Sequence, residues 1–214
     1  MINPIKGMKP EMFPKGDVTQ IFGVNKALYA FMGMEGHNGV DYVRPHGEPM
    51  FAIEDGTVIN VKFDPKGFGK HVRILSDTKD SKGYQREWTY GHCDVILVVV
   101  GSKVTAGQQV ATMGNTGFVV SGATPFWKHN PFAGTHLHLG LRLMKVKTRG
   151  GWSYEGSTIR HDVIAHGNGF KGAIDPAPYL VGATDLVAVP TKTALQMTVI
   201  SLLRTLLTLL KAKQ

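Results

Sequence analysis

The feature that most constrains the fold is a strict alternation over residues 136–143, where leucine occupies every second position. Successive side chains of a β-strand point to opposite faces, so the four leucines share one face of a strand. His136, His138, Gly140 and Arg142 share the other face. A leucine face requires a hydrophobic core to cover it. The sequence therefore predicts a strand that holds two histidines outside the core, about 7 Å apart along the backbone.

Short runs rich in β-branched and aromatic residues occupy much of the chain before this strand, and turn-forming residues separate several of them. Runs of this length and spacing are typical of antiparallel sheet. The main domain is therefore predicted to be mainly β and antiparallel. We expect its strands at residues 56–61, 71–75, 87–92, 95–100 and 109–113.

The end of the chain has a different pattern. Apolar residues recur at alternating steps of four and three from Leu195 to Leu209, which predicts an amphipathic C-terminal α-helix. Packing on its own domain, association with another helix and contact with a membrane surface are the three interpretations of this helix. Its few cations argue against the membrane surface, and its wide apolar stripe favours self-association or docking to another protein.

These patterns divide the chain into four parts. The first residues are broken by glycine and proline and show no helical period, and a similar segment precedes the C-terminal helix. We expect an N-terminal extension at residues 1–19, the main domain at 20–182, a linker at 183–193 and the C-terminal amphipathic helix at 194–214.

The charge of the chain limits the partners that it attracts. Lysine and arginine number 24 against 16 aspartate and glutamate residues, which gives a formal net charge of +8. Such a charge favours anionic partners, which are nucleic acid, a membrane surface or the anionic polymers of a cell wall. The sequence carries no basic-aromatic or helix-turn-helix signature, so we expect no nucleic-acid partner.

The single cysteine, Cys93, excludes an intrachain disulfide and a cysteine zinc cluster.

A candidate metal site comes from the spacing of His37 and Asp41. These residues are four apart, which places both side chains on one side of either a helix or a strand. Imidazole and carboxylate both bind zinc, and a catalytic zinc takes three protein ligands with one open position. Either His136 or His138 could supply the third ligand. The helical His-Glu-x-x-His motif of the zincins does not occur in the sequence.

Three motifs, in this order, resemble those of the lysostaphin/LytM-type zinc metallopeptidases. They are His-x-x-x-Asp at His37 and Asp41, Tyr-x-His at Tyr90 and His92, and His-x-His at His136 and His138. Glycine-rich landmarks between the motifs also match. The resemblance covers roughly residues 20–180 and implies a lysostaphin/LytM-like peptidase domain of antiparallel β-sheet.

The resemblance also implies roles for the motif residues. His37, Asp41 and His138 would bind one Zn²⁺ per chain, and His92 and His136 would be the catalytic histidines. The implied function is hydrolysis of peptide bonds in the stem or cross-bridge peptides of bacterial peptidoglycan, which is the expected partner. A zinc peptidase acting on a protein substrate stays open. Degenerate family members that lack zinc ligands activate other wall hydrolases, so the alternative is a non-catalytic binding, activating or structural module.

Two segments are longer than the family pattern requires, residues 118–134 and 145–172. The first is rich in aromatic side chains, and Phe126 and Trp127 are candidate substrate contacts, with a hydrophobic plug over a sheet edge as the alternative. Tyr90 is a further candidate for binding substrate, with core packing as its alternative.

The sequence predicts neither a secretory signal nor a transmembrane span, because its longest uninterrupted apolar run is six residues, 95–100. An enzyme that acts on the cell wall without an export signal needs another route to its substrate. We therefore expect action at the bacterial cell wall, as a phage lysin (endolysin) or as a component of the virion.

Overall fold

The computed structural model describes residues 1–121, 124–125, 130–147, 149–153 and 159–181. The predicted linker and C-terminal helix lie outside these residues, as do the candidate substrate contacts Phe126 and Trp127. No helix in the described ranges is long and apolar enough to span a membrane.

Strands dominate the described residues. In chain order the elements are β1 (Val18–Gln20), α1 (Lys26–Tyr29), a 3-10 helix (Ala30–Met32), β2 (Val40–Tyr42), β3 (Pro49–Phe51), β4 (Gly56–Asp64), β5 (Gly69–Lys79), β6 (Gln85–Gly91), β7 (Cys93–Ile96), β8 (Lys103–Val104), β9 (Gln109–Met113), β10 (Val120–Ser121), β11 (Thr124–Pro125), β12 (Leu137–Lys147), β13 (Arg160–Val163), β14 (Ala173–Ile174) and a second 3-10 helix (Ala177–Tyr179).

Most of these strands form one large sheet. Its order is β1-β2-β12-β6-β5-β4-β8, and β13 and β14 also pair with β12. A smaller sheet has the order β3-β9-β7, and β10 pairs with β11. The pairings between these strands are antiparallel. The predicted fold class, mainly antiparallel β, is confirmed.

The predicted alternation lies in β12. Leu137, Leu139 and Leu141 are at most 1% exposed and belong to the main hydrophobic core, which confirms the leucine face for three of its four members. The fourth, Leu143, is only partly buried. The strand continues beyond the prediction to Lys147 because β13 pairs with its second half. Part of the long segment at residues 145–172 is therefore sheet.

The strand predicted at residues 95–100 is displaced in the structure. Strand β7 of the smaller sheet already ends at Ile96, and the chain then leaves that sheet. Leu97 and Val99 are therefore 53% and 70% exposed. A continuous apolar run has no period-two signal, so its sequence cannot locate the ends of a strand.

Residues 1–19, expected as an extension, pack against the main domain. Ile5 is fully buried and Met8 is 7% exposed, and both belong to the main core. The side chain of Asn3 donates to the carbonyl oxygen of Val181 at 3.0 Å and accepts from its amide at 2.9 Å. The expected boundary at residue 20 therefore lies inside the packed domain.

Candidate metal centre

Neighbouring strands place the candidate metal ligands in one row of the large sheet. His138 on β12 lies directly opposite Asp41 on β2 and opposite Gly91 on β6. Opposite residues of antiparallel strands share a face, so Asp41 lies on the histidine face of β12. His37 precedes β2 and is held by backbone hydrogen bonds to residues 23 and 24.

The three predicted ligands converge on one point. His37 Nε2 lies 2.9 Å from His138 Nδ1, and Asp41 Oδ1 lies 3.1 Å from each of these nitrogens. All three residues are buried. Ligands of a tetrahedral zinc lie about 2.0–2.2 Å from the metal, and therefore about 3.4 Å from one another. The observed triangle of ligand atoms is close to that size.

The three atoms of this triangle cannot all be paired with one another by hydrogen bonds, because at most one of them carries a proton. His37 Nδ1 lies 3.2 Å from the carbonyl oxygen of Ile21, which places the N–H on that side and leaves a lone pair on Nε2. The carboxylate oxygen of Asp41 is also an acceptor. His138 Nδ1 has at most one proton to share between these two neighbours. A cation would satisfy all three atoms at once, so the residues fit a metal ion.

Packing brings the ring of His138 close to the backbone. The rings of Phe68 and His138 lie 4.9 Å apart, and Tyr29 stacks on His37 at 5.4 Å. A side-chain carbon on Gly39 would lie 2.7 Å from His138 Nε2, so the contact requires glycine. No motif marks Phe68 or Tyr29, and sequence reasoning missed both. Gly39 could have been recognised from its place between the two ligands of the first motif.

Electrostatics keeps the Asp41 carboxyl ionised. Burial alone would raise its pKa, but the imidazoles of His37 and His136 and the hydrogen bond with His138 hold that pKa well below its usual value. Burial lowers the pKa of His138 to about 4, against the opposing effect of Asp41. At neutral pH the site therefore offers an ionised carboxylate beside a neutral imidazole, a donor set suited to a divalent cation.

Two more imidazoles lie beside the triangle. His136 Nε2 lies 3.7 Å from Asp41 Oδ2, and the rings of His92 and His136 are 4.5 Å apart. Each donates from Nδ1 to a backbone carbonyl oxygen at 2.7 Å, His92 to Thr116 and His136 to Gly134. These contacts leave a lone pair on Nε2 of both rings. The structure thus brings the five histidine and aspartate residues of the predicted site together.

His92 reaches this face through an unusual backbone conformation. Strand β6 ends at Gly91, and His92 has a φ of 59°, in the left-handed region. Its amide donates to the carbonyl oxygen of Phe68 at 2.7 Å. Burial, with His136 and His138 nearby, holds the pKa of His92 well below its usual value, so this imidazole is neutral at pH 7.

Tyr90 lies in the core and not at the site. It is fully buried opposite Leu139, on the leucine face of the sheet. Its hydroxyl accepts from the amide of Ile53 and donates to the carbonyl oxygen of Phe51, both at 3.1 Å. The left-handed turn at His92 reverses the strand alternation, which is why the two side chains do not share a face. The interpretation of Tyr90 as a substrate contact is therefore corrected to core packing.

The triangle opens into a cavity of about 590 Å³. A cavity of this size accommodates a short stretch of peptide. Its polar floor is formed by Asp41 and the imidazoles of His92, His136 and His138. Its walls are largely apolar and include Leu28, Tyr29, Met32, Met34, Phe68 and Phe118.

Comparisons with known proteins agree with this geometry. The profile described as Peptidase family M23 matches residues 35–150. Peptidoglycan DD-endopeptidase ShyA of Vibrio cholerae is 33% identical over 105 residues, 49% of this chain and 20% of that protein. Murein hydrolase activator NlpD of Escherichia coli is 31% identical over 103 residues, 48% of this chain and 24% of that protein. This chain therefore spans a quarter or less of either relative.

A solved structure extends the comparison to the fold. The structure of LytU is 28% identical and superimposes with a TM-score of 0.50, covering 81% of this chain and 90% of that chain. The family profile covers more than half of this chain, including all three motifs and the residues between them. From the motifs, the sheet and these matches together, the chain belongs to peptidase family M23, the family of the lysostaphin/LytM-type peptidases.

Proposed function

We propose that this chain is a zinc-dependent endopeptidase that hydrolyses peptide bonds in the stem or cross-bridge peptides of bacterial peptidoglycan. The observation that carries this proposal is the triangle of His37 Nε2, Asp41 Oδ1 and His138 Nδ1, with sides of 2.9 and 3.1 Å. Two more imidazoles with free Nε2 lone pairs lie beside it.

The three triangle atoms would hold one Zn²⁺ per chain. A zinc ion with this ligation lowers the pKa of a bound water to about 7 and polarises the carbonyl group of the scissile bond. The backbone contact of His37 with Ile21 supports this role, because it keeps the ring oriented and its Nε2 unprotonated.

His92 and His136 would move the protons of the reaction. The N–H of each ring is held on Nδ1 by a backbone carbonyl oxygen, so each Nε2 is ready to accept a proton from the attacking water. Once protonated, the same atom becomes a donor and can pass the proton to the leaving amine. A protonated Nε2 would also stabilise the negative charge that develops on the carbonyl oxygen.

The substrate class is supported by the relatives and by charge. One relative is named a peptidoglycan endopeptidase, and another a murein hydrolase activator. The net charge of +8 would attract the chain to the anionic polymers of a bacterial wall.

The test is digestion of purified peptidoglycans of different cross-bridge types, with and without a chelator, followed by mass spectrometry of the new amino termini. We expect new termini from at least one cross-bridge type, loss of this activity with chelator and recovery on adding zinc. A His46→Ala variant is a matched histidine control, because His46 contacts Phe132 and belongs to none of the three motifs. Activity that is insensitive to the chelator would contradict the proposal.

A non-catalytic activator is the second candidate, and the similarity to NlpD favours it. The two functions differ in the same assay. An activator alone releases no new amino termini but increases the release of products by a separate wall hydrolase. All five motif residues are present, three at the triangle and two beside it. They support the enzyme, because binding alone does not require imidazoles with fixed tautomers.

We also propose that the chain acts at the bacterial cell wall, delivered as a phage lysin or virion component, and that residues 194–214 associate with a partner helix. Mass spectrometry of purified virions tests whether the chain is a virion component.

Deletion of residues 191–214 tests the association of the predicted helix. We expect unchanged hydrolysis and a smaller species in analytical ultracentrifugation. Unchanged sedimentation would count against association.

A further inference from the structure

A second cavity lies on the same face of the large sheet as His138. It has a volume of about 400 Å³ and is separate from the metal centre described above. Its charged and polar lining comes from strands β4, β5 and β12 and from the segment that follows β12. The lining residues are Asn60, Arg73, Arg142, Trp152, Asp162, Val163 and His166.

The acidic groups at this cavity already have cationic partners. Glu87 is fully buried, and its Oε1 accepts from both Nε and Nη2 of Arg142, the former at 2.9 Å. Asp162 pairs with Lys147 at 2.6 Å. Glu87 and Asp162 thus have Arg142 and Lys147 as their nearest cations, and Arg73 is a third cation beside Glu87. The second oxygen of Glu87, Oε2, is buried and meets no donor among the described residues.

Arg73 has few hydrogen-bond acceptors for its five N–H groups. Its Nη1 lies 3.7 Å from Glu87 Oε1, which is already engaged by Arg142. Its Nε is buried and meets no acceptor among the residues that the structure describes. The side chain is 24% exposed, so water reaches only part of it. A buried Nε–H without an acceptor is costly, and an anionic ligand in the cavity would remove that cost.

Arg73 is also close to the metal centre. Its guanidinium carbon lies 5.8 Å from the centre of the Phe68 ring, and that ring lies 4.9 Å from the ring of His138. Arg73 is opposite Thr89, and Thr89 is opposite Gly140, two residues after His138 on β12. Two residues of a strand span about 7 Å. Arg73 also lies two strands across from β12, which adds about 9.5 Å sideways. A peptide held at the metal centre would therefore bring a group three or four residues from its scissile bond to Arg73.

We propose that Arg73 binds a free carboxylate of the peptide substrate in this second cavity. The inference rests on the proposed peptidase function and names a specificity contact for it. A guanidinium matches a carboxylate with two parallel N–H···O bonds, and Nε with its neighbouring Nη offers such a pair.

The experiment measures binding to purified peptidoglycan sacculi by co-sedimentation in the cold. Native sacculi are compared with sacculi whose carboxylates have been converted to amides with a carbodiimide and ammonium chloride. The variant is Arg73→Gln, and the matched control is Lys103→Gln, which removes one positive charge from an exposed pair with Asp77. Thermal unfolding of each variant is recorded beside the binding curves.

We expect the wild-type protein to bind native sacculi about tenfold more tightly than amidated sacculi. Lys103→Gln should keep this preference, because it changes the net charge equally but lies outside the cavity. Arg73→Gln should lose most of it. Equal preferences in the Arg73→Gln and Lys103→Gln variants, or no preference in the wild type, would overturn the inference.

If Arg73→Gln does not fold, Arg73→Lys takes its place, since it keeps the charge and loses the paired N–H geometry. Its preference should fall at least about threefold, and a preference equal to that of the wild type would overturn the inference. Hydrolysis of the same sacculi is measured in parallel. Absence of new amino termini would contradict the peptidase function and leave the binding result standing, so the two failures are distinct.

Discussion

The two cavities lie on one face of one sheet, but different electrostatic arrangements organise them. At the metal centre, backbone carbonyl oxygens decide which imidazole nitrogens carry protons, and lone pairs of His37 and Asp41 are left facing one point. At the second cavity, two carboxylates form ion pairs with two cations, and Arg73 adds a third positive charge. In the two proposals, proton placement prepares the first region for a cation, and charge imbalance prepares the second for an anion.

Removing a triangle ligand is the strongest way to break this comparison. Asp41→Ala should abolish bound zinc and reduce hydrolysis at least about 1,000-fold, because the carboxylate is the anionic member of the ligand set. Metal content by mass spectrometry and release of amino termini measure the two effects. Zinc bound at one ion per chain in the folded variant would contradict the ligand assignment.

Removing a neighbouring imidazole should separate chemistry from metal binding. His136→Ala should lower turnover by about 10²–10⁴-fold, the usual contribution of a proton-transfer group, and retain most of the zinc. His46→Ala should change neither quantity. Loss of stoichiometric zinc from His136→Ala would place this residue among the ligands, contrary to the proposal.

The charge pairing of the second region can be tested through stability. Glu87→Gln leaves the partly buried guanidinium of Arg142 without its carboxylate and should cost about 3 kcal/mol of unfolding free energy in urea. The exposed pair of Lys103 and Asp77 is the control, and Asp77→Asn should cost less than about 1 kcal/mol. Similar losses in the two variants would mean that burial does not distinguish these pairs.

A smaller effect than that of Glu87→Gln is expected at Tyr90, and it tests whether this residue belongs to the core or to the site. Tyr90→Phe leaves the Ile53 amide and the Phe51 carbonyl without their buried partner, at a cost of about 1–2 kcal/mol of stability. Hydrolysis should change less than about twofold, since the hydroxyl does not reach the cavity. A larger fall in turnover with unchanged stability would restore Tyr90 as a contributor to the site.

The sequence predicted features that depend on short spacings. The leucine face of β12 follows from its period of two, and the candidate ligands of the first motif share a side because they are four residues apart. The roles of His92 and His136 came from family resemblance, and the structure places both rings beside Asp41.

Features that depend on register or on a single dihedral angle could not be predicted. Asn60, Arg73 and Arg142 meet only because β4, β5, β6 and β12 pair in one particular alignment. The residue types of Tyr90 and His92 do not indicate that the left-handed backbone at His92 places their side chains on opposite faces of the sheet. The packing of residues 1–19 likewise depends on Ile5 and Met8 finding a distant core.

The left-handed backbone of His92 has a consequence for engineering. Asparagine and glycine adopt this conformation readily, whereas β-branched side chains are strongly disfavoured there. In a saturation library at this position, many variants will therefore lose activity because their side chains disfavour this backbone conformation, whatever their chemical reactivity. Asparagine is the informative replacement, because it removes the imidazole and still suits the local chain geometry.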